Sequence, residues 1–502
     1  MALARFFAFC LVWICGAAPS QANPASEIDD IVQRTILRYQ SQPGSGYSVG
    51  VLFQGKIILL KGYGFSDRSQ AAPITPSTRF FVGSNTKSFT ALGLAILGDR
   101  GLVNFEKPLQ TDWPTFSLKD PAVSTQVSIA DLLSHRTGLP RHDFLWEFTD
   151  LSRSEILARL PHLDMDYRPE NGFRKSFQYN NLMYMAAGQI IENKTGLTWE
   201  EFTEREILQP LEMSESGVHF LNPPNIAIPY TSTGEVLGFP LRQSAGPAGS
   251  IYSTPGDMLK YLNLYLNLGK LPNGLKLVSE NALLNLFWPR NDSKDRHLIS
   301  GAIWTRYGMG WWVDFDGTNH VAYHGGGISG FRSQMAFDQA NQIAVVVLSN
   351  QRADPAVDPI TRAIFDVLHQ KQSKPVGLPQ ALAPLPIEMD SLGSGRPNEG
   401  QYNILSRARS LNLSATVLGS FFHSGYGQID LVTDGKYVYF KWYDNYWPIV
   451  GYQDPFTYYL VYSSAITPFV LPAFFEKDSR QSVIGLYPAF EVYALCRFQR
   501  TL

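Results

Sequence analysis

Strand-like periodicity opens this chain, gives way to helical periodicity over residues 128–270, and returns at Tyr307. That order is the strongest constraint on the fold. GYSVGVLFQGKIILLKGYGFSD reads as two strands about a Gln54-Gly55 turn. SIADLLSHRTGL, LMYMAAGQIIENKTG and DMLKYLNLYLNLG then place apolar residues at a period near 3.6. YGMGWWVDF, HVAYHGGG, SQMAFDQ and QIAVVVLSN restore strands, and a helix is expected around Ile360–Gln370. Strands at both ends of one region are expected to share a sheet, with the helices between them packed against it. The expectation is an α/β fold with a largely antiparallel sheet, flanking helices and a helical subdomain.

A chain of 502 residues exceeds one ordinary core. Residues 1–22 read as a signal peptide: Arg5, an apolar run from Phe6 to Cys15, and Ser20-Gln21-Ala22 at the cleavage site. Secretion or periplasmic export is the expectation. Trp13 and Ile14 are bulky for lipid attachment at Cys15. Cleavage would leave Cys496 alone, read as a buried strand residue, so no intrachain disulfide is expected. Residues 23–373 form the main domain, and 374–398, rich in Pro, Gly and Ser, a linker. Residues 399–502 are aromatic and strand-like, with a turn at Asp434-Gly435, and predict a small all-β, barrel-like domain. Phe456–Phe475 is uncharged, but Pro468 and Pro472 favour two strands over a membrane helix. Charged residues make up 17% of the chain, net charge is −2 and no long basic run occurs, so nucleic acid is not an expected partner.

Three local signals carry chemistry. In VGSNTKSFTALGLAIL, Ser84 and Lys87 lie three apart at a helix start, on one face. An amine there can activate a weakly nucleophilic hydroxyl, and the exposed N–H groups of a helix start suit an oxyanion. Taken alone, the pair reads more readily as a capping serine and a solvated lysine. Next, Tyr179 and Asn181 stand just before a strong helix, where a phenol can relay protons and an amide can hold the lysine or a substrate amide. Finally, Tyr323–Phe331 reads YHGGGISGF. Its Gly325, Gly326 and Gly327 allow close backbone approach, Gly327 N–H offers a second oxyanion donor, and His324 could bond the lysine–tyrosine pair or substrate. The alternative is a glycine turn with a structural histidine. His135 reads as a structural residue ending a helix, and Trp311 and Trp312 as sheet packing.

Together the three signals resemble the serine β-lactamase and penicillin-binding-protein superfamily, in particular its class C-like branch. FVGSNTKSFTALGLAIL resembles the nucleophile helix, LLSHRTGLP the stretch "LLSHTSGLP", and YNNLMYMAAGQIIENKTG the Tyr-x-Asn helix. GSIYSTPGDMLKYL, YGMGWW and HGGGISGF match later landmarks, so the likeness covers residues 28–370. The resemblance implies that Ser84 becomes acylated, that Lys87 and Tyr179 transfer the protons, and that Asn181 orients Lys87 and the substrate amide. It implies an oxyanion hole from the Ser84 and Gly327 N–H groups, and no metal or organic cofactor. The implied substrate is a small molecule or peptide with an ester, amide or β-lactam carbonyl, cell-wall peptides among them.

One motif departs from that pattern. Where relatives carry Lys-Thr-Gly or Lys-Ser-Gly, this chain has His324-Gly325-Gly326. A fixed positive charge and a hydroxyl are both missing, which weakens recognition of a substrate carboxylate. Esterase, amidase or D-amino-acid peptidase activity is therefore expected over β-lactam hydrolysis. A non-catalytic binding or scaffold protein on the same fold is the rival reading. The C-terminal domain either covers the cleft or binds a partner, and nothing in the sequence sets the oligomeric state.

Overall fold

A computed structural model describes residues 24–369, with breaks at 41, 167, 220–222, 240–242 and 294–296, and the strand segments between 419 and 500. The expected signal peptide, the linker, Cys15, Cys496 and the Asp434-Gly435 turn lie outside the described residues.

Eight strands form one antiparallel sheet: β1 (Tyr47–Phe53), β2 (Lys56–Tyr63), β3 (Asn291–Asp292), β4 (Trp304–Tyr307), β5 (Trp312–Phe315), β6 (His320–Ile328), β7 (Phe331–Asp338) and β8 (Ile343–Ser349). Their order is β2-β1-β8-β7-β6-β5-β4-β3. The first hairpin thus joins the last strand, with Tyr47 opposite Ser349 and Phe53 opposite Ile343. This is the shared sheet that the strand–helix–strand order predicts.

β8 is buried at all seven positions because both faces of the sheet are covered. Val345 and Val347 pack with helices α1 (Pro24–Tyr39) and α6 (Val357–Leu368), through Ile28, Val32, Ile360 and Ile364. Ala344, Val346 and Leu348 face the helical part through Met258 and Leu259. The last helix begins three residues earlier than expected, because Ile360's turn is already preceded by a buried Val357.

Within the helical part, α2 (Thr86–Asp99) is buried from Thr86 to Leu97. A helix buried on every side belongs in the middle of a core, and α3 (Asn181–Thr195), α4 (Pro255–Leu266) and α5 (Glu280–Phe287) surround it. Asn180 caps α3 by accepting from Met183 N–H at 3.0 Å, and Gly196 ends it in the left-handed conformation.

A second set of strands, β9 (Gly419–His423), β10 (Gly427–Thr433), β11 (Val438–Trp442), β12 (Asn445–Gly451), β13 (Tyr458–Tyr462), β14 (Phe469–Lys477), β15 (Val483–Pro488) and β16 (Phe498–Arg500), closes into an antiparallel barrel. Phe421 opposite Arg500 joins the first strand to the last. Closure removes the exposed edges that an open sheet would leave. The uncharged stretch forms β13 and β14, paired with each other. No helix among the described residues is long and apolar enough to cross a membrane.

Candidate active site

Ser84 lies in a 3-10 turn, Gly83–Asn85, immediately before α2 rather than inside its first α-helical turn. Gly83 makes that turn possible. Its φ is +51°, and a Cβ there would stand 2.8 Å from Gly327 N. Neighbouring side chains pin the turn to the sheet. Ser333 Oγ–H donates to Val82 O at 2.8 Å, and Asn85 Nδ2–H donates to Ser333 Oγ at 3.0 Å. On the other side, Ile251 N–H donates to Thr86 Oγ1 at 3.1 Å.

Lys87 Nζ–H donates to Ser84 Oγ at 2.9 Å and to Ala248 O at 3.0 Å. Lys87 is fully buried and Ser84 is 5% exposed, so the pair is shielded from bulk water. A capping role for Ser84 is excluded by position: Asn85 is the residue at the helix N-cap. The amine also lies 4.7 Å from the centre of the Tyr179 ring, and the Arg141 guanidinium lies 5.0 Å from the same centre. The amine and the guanidinium therefore both face one aromatic ring.

A narrow cleft opens over the pair, lined by Ser84, Trp146, Asn181, Ala248, Gly327 and Ile328 among others. Gly327 and Asn181 thus meet Ser84 at one cleft. The Asn181 amide is held from the far side: Nδ2–H donates to Asp143 Oδ1 at 2.9 Å. His324 is fully buried, with Nε2 3.1 Å from Tyr307 Oη and Nδ1 2.6 Å from Gly325 O. Its ring packs 4.5 Å from Trp312, which also stacks on Tyr179 at 5.9 Å. His324 thus stands behind Tyr179 and inside the protein. Gly326 sets strand against nucleophile turn, since a Cβ there would lie 2.0 Å from Val82 O and 3.0 Å from Ser84 N. A larger hollow, lined by Gly98, Asp99, Glu106 and Trp288, lies at the far end of α2 and contains neither Ser84 nor Lys87.

Four residues support the cleft wall, and of these only His135 stands in a stretch that the sequence singles out. His135 adopts φ +56° and accepts from Asn180 N–H through Nδ1 at 3.0 Å, which leaves the proton on Nε2. Its ring lies 4.3 Å from that of Tyr179, so the structural role expected for it is exercised at the site itself. Asp143, fully buried, holds Asn181 and Trp146, and Arg141 is its ion-pair partner. Arg141, Asp143 and Trp146 come from a short segment with no readable period. The nearest usable hint is that the loop follows the LLSHRTGLP stretch.

Burial also sets a pH dependence. Burial first, then Lys87, His324 and Arg141, holds His135 well below its ordinary value of 6.5. Burial outweighs the pull of Asp164 and lowers His142 to about 4. Both rings are therefore neutral when folded and take up protons near 6.5 when unfolded, so the stability they contribute is lost as pH falls from about 6.5 towards 4. Asp314 and Asp354, raised by burial, act in the opposite direction. Urea unfolding of the wild type against His142→Gln isolates the ring. Between pH 7.5 and 4.5 the wild type is expected to lose about 2 kcal/mol more than the variant. Equal losses in the two proteins would refute the assignment.

Known proteins resemble this chain in sequence and in fold. Protein flp of Staphylococcus aureus (strain NCTC 8325 / PS 47) is 25% identical over 334 residues, which are 64% of this chain and 63% of flp. Unguisins hydrolase ungD′ of Aspergillus campestris (strain IBT 28561) is 27% identical over 345 residues, 64% of this chain and 60% of that protein. The chain thus spans under two thirds of the length of these curated relatives. The octameric penicillin-binding protein homologue from Pyrococcus abyssi superposes with a TM-score of 0.57 at 20% identity, over 94% of this chain and 99% of that one. The beta-lactamase family model matches residues 32–369, a span that holds the Ser84–Lys87 pair, Tyr179, Asn181 and the glycine run, and the chain belongs to that family.

Proposed function

We propose that the chain is an exported serine hydrolase that cleaves an ester or amide through an acyl-enzyme on Ser84. The observation that carries this reading is the buried Lys87 Nζ–Ser84 Oγ contact of 2.9 Å at the base of a cleft. Full burial penalises a charged ammonium, which favours the neutral amine that a base requires. Ser84 Oγ attacks the substrate carbonyl carbon as its proton passes to Lys87. The oxyanion forms between the N–H groups of Ser84 and Gly327. Collapse expels the amine or alkoxide, which takes a proton from the Lys87–Tyr179 pair. Water then attacks the ester carbonyl as one of its protons passes to that pair, and the pair returns a proton to Ser84 Oγ as the C–O bond breaks and the acid leaves. Asn181, on the cleft wall, accepts or donates to an amide of the acyl portion.

The substrate class follows from the third motif. His324 is buried behind Tyr179 and Gly325 has no hydroxyl, so neither replaces the lost Lys-Thr pair as a carboxylate anchor. A charged hydrogen bond contributes about 1.5–3 kcal/mol, which corresponds to a rate loss of about 10- to 100-fold on penicillins. Uncharged esters and amides are the expected substrates, in small molecules or peptides. The curated name of the Aspergillus relative, a hydrolase, points the same way.

Intact mass after brief mixing with an activated ester, and separately with a penicillin, tests the proposal. The ester adduct is expected to form on the Ser84 peptide and decay. The penicillin adduct is expected to persist or to form slowly. A folded protein that takes no adduct from either reagent would favour the scaffold reading.

A further inference from the structure

Arg141–Trp146 has one short helical turn, Phe144–Glu147, and is otherwise held by side chains. Neighbouring residues in it face in opposite directions. Asp143 faces the cleft, where Oδ1 accepts from Asn181 Nδ2–H at 2.9 Å and from Trp146 Nε1–H at 2.6 Å. Both donors line the pocket over Ser84. His142 and Phe144, on either side of Asp143, face the C-terminal barrel.

The joint with the barrel is buried and specific. His142 Nε2–H donates to Asp164 O at 2.9 Å, and since a carbonyl only accepts, Nδ1 is left as the acceptor. Tyr426 Oη–H donates to that nitrogen. Trp442 Nε1–H donates to Tyr426 O at 2.9 Å, and the Trp442 ring lies 6.5 Å from that of Phe144. His142, Tyr426, Phe144 and Trp442 are each fully buried. Next to them, His423 Nδ1 accepts from Gly425 and Tyr426 N–H, so its Nε2–H points at Asp164 Oδ2, 3.3 Å away. Arg159 donates to Gly425 O at 3.3 Å.

We propose that the barrel shapes the Ser84 cleft through this segment, with Tyr426 and Asp143 as positioning residues. The path is short: Tyr426 holds His142, the next residue is Asp143, and Asp143 holds Asn181 and Trp146. The barrel therefore acts on the wall that meets the acyl side of a substrate, while the Ser84–Lys87 pair is fixed separately by β6, β7 and Ala248. It follows that substrates bearing an amide that reaches Asn181 depend on the joint, and that a minimal acyl group does not. This inference rests on the hydrolase reading for its kinetic part only.

The test uses the full chain with Tyr426→Phe, which keeps the ring and removes one donor, and Phe144→Leu, which loosens the same joint without touching a hydrogen bond. Hydrogen–deuterium exchange is followed in peptides covering 141–147, 178–184 and 86–99. Hydrolysis is followed with p-nitrophenyl acetate and with the p-nitrophenyl ester of N-acetylphenylalanine. In either variant, exchange is expected to rise several-fold in the first two peptides and to stay unchanged in the third. For the amide-bearing ester, kcat/KM is expected to fall about 5- to 10-fold, mainly through KM, with the acetate within about twofold of wild type. Wild-type exchange at 141–147 and 178–184, or an equal fall for both esters, would overturn the proposal. Should the wild type hydrolyse neither ester, the hydrolase reading fails and the exchange pattern alone decides the coupling.

Discussion

Ser84→Ala is expected to give a folded protein that gains no mass from an activated ester, with turnover reduced by about 10⁴-fold or more, because Ser84 supplies the hydroxyl that Lys87 contacts at the cleft. Lys87→Met carries more information. Met matches the length and apolar body of lysine and removes only the amine. A positioned base typically contributes about 10²–10⁴ in rate, so acylation should fall by that factor with little change in KM. Stability should move the other way. The amine is fully buried, and its desolvation cost disappears with it, so the variant is expected to melt at the wild-type temperature or higher. Both outcomes together separate a base from a structural lysine, whose loss would lower stability and leave labelling intact. Retained acylation in Lys87→Met would remove Lys87 from the mechanism.

Gly326→Ala is expected to disable the site without touching a reactive group. Its Cβ would stand 2.0 Å from Val82 O and 2.6 Å from Ser333 Oγ, the two groups that tie the nucleophile turn to β6 and β7. Something must shift, and the atoms in the way are mostly backbone. A displacement of about 1 Å at a reacting centre can cost about 10²-fold in rate, and overpacking of this kind costs about 1–3 kcal/mol in stability. Gly256→Ala is the control. Its Cβ would meet nothing closer than 3.8 Å and it lies in α4, so a gain of about 0.5–1 kcal/mol with unchanged activity is expected. Normal ester hydrolysis by Gly326→Ala would show that the close approach of the glycine strand to Ser84 is not needed.

Much of the scaffold was legible because it depends on local periodicity. The hairpin about Gln54-Gly55, the body of α3 and the long strands of the sheet all follow from patterns within a dozen residues. The glycine run at 325–327 and the three-residue spacing of Ser84 and Lys87 are equally local. Even so, placing Ser84 in a 3-10 turn outside α2 needed the tertiary structure, since the turn follows from Gly83 being pressed against Gly327.

The walls of the site were not legible. Asp143 reaches Asn181 across 38 residues, His135 reaches Asn180 across 45, and Tyr426 reaches His142 across 284. A buried polar group needs a partner wherever the chain happens to supply one, and such pairings leave no period or spacing behind. The sequence by itself therefore determined the helices, the strands and the spacing of Ser84 and Lys87, because these depend on neighbours along the chain. Which loop holds Asn181, which ring supports Tyr179 and where the barrel grips were decided only by tertiary packing, because hydrogen bonds between distant segments are selected by burial in three dimensions.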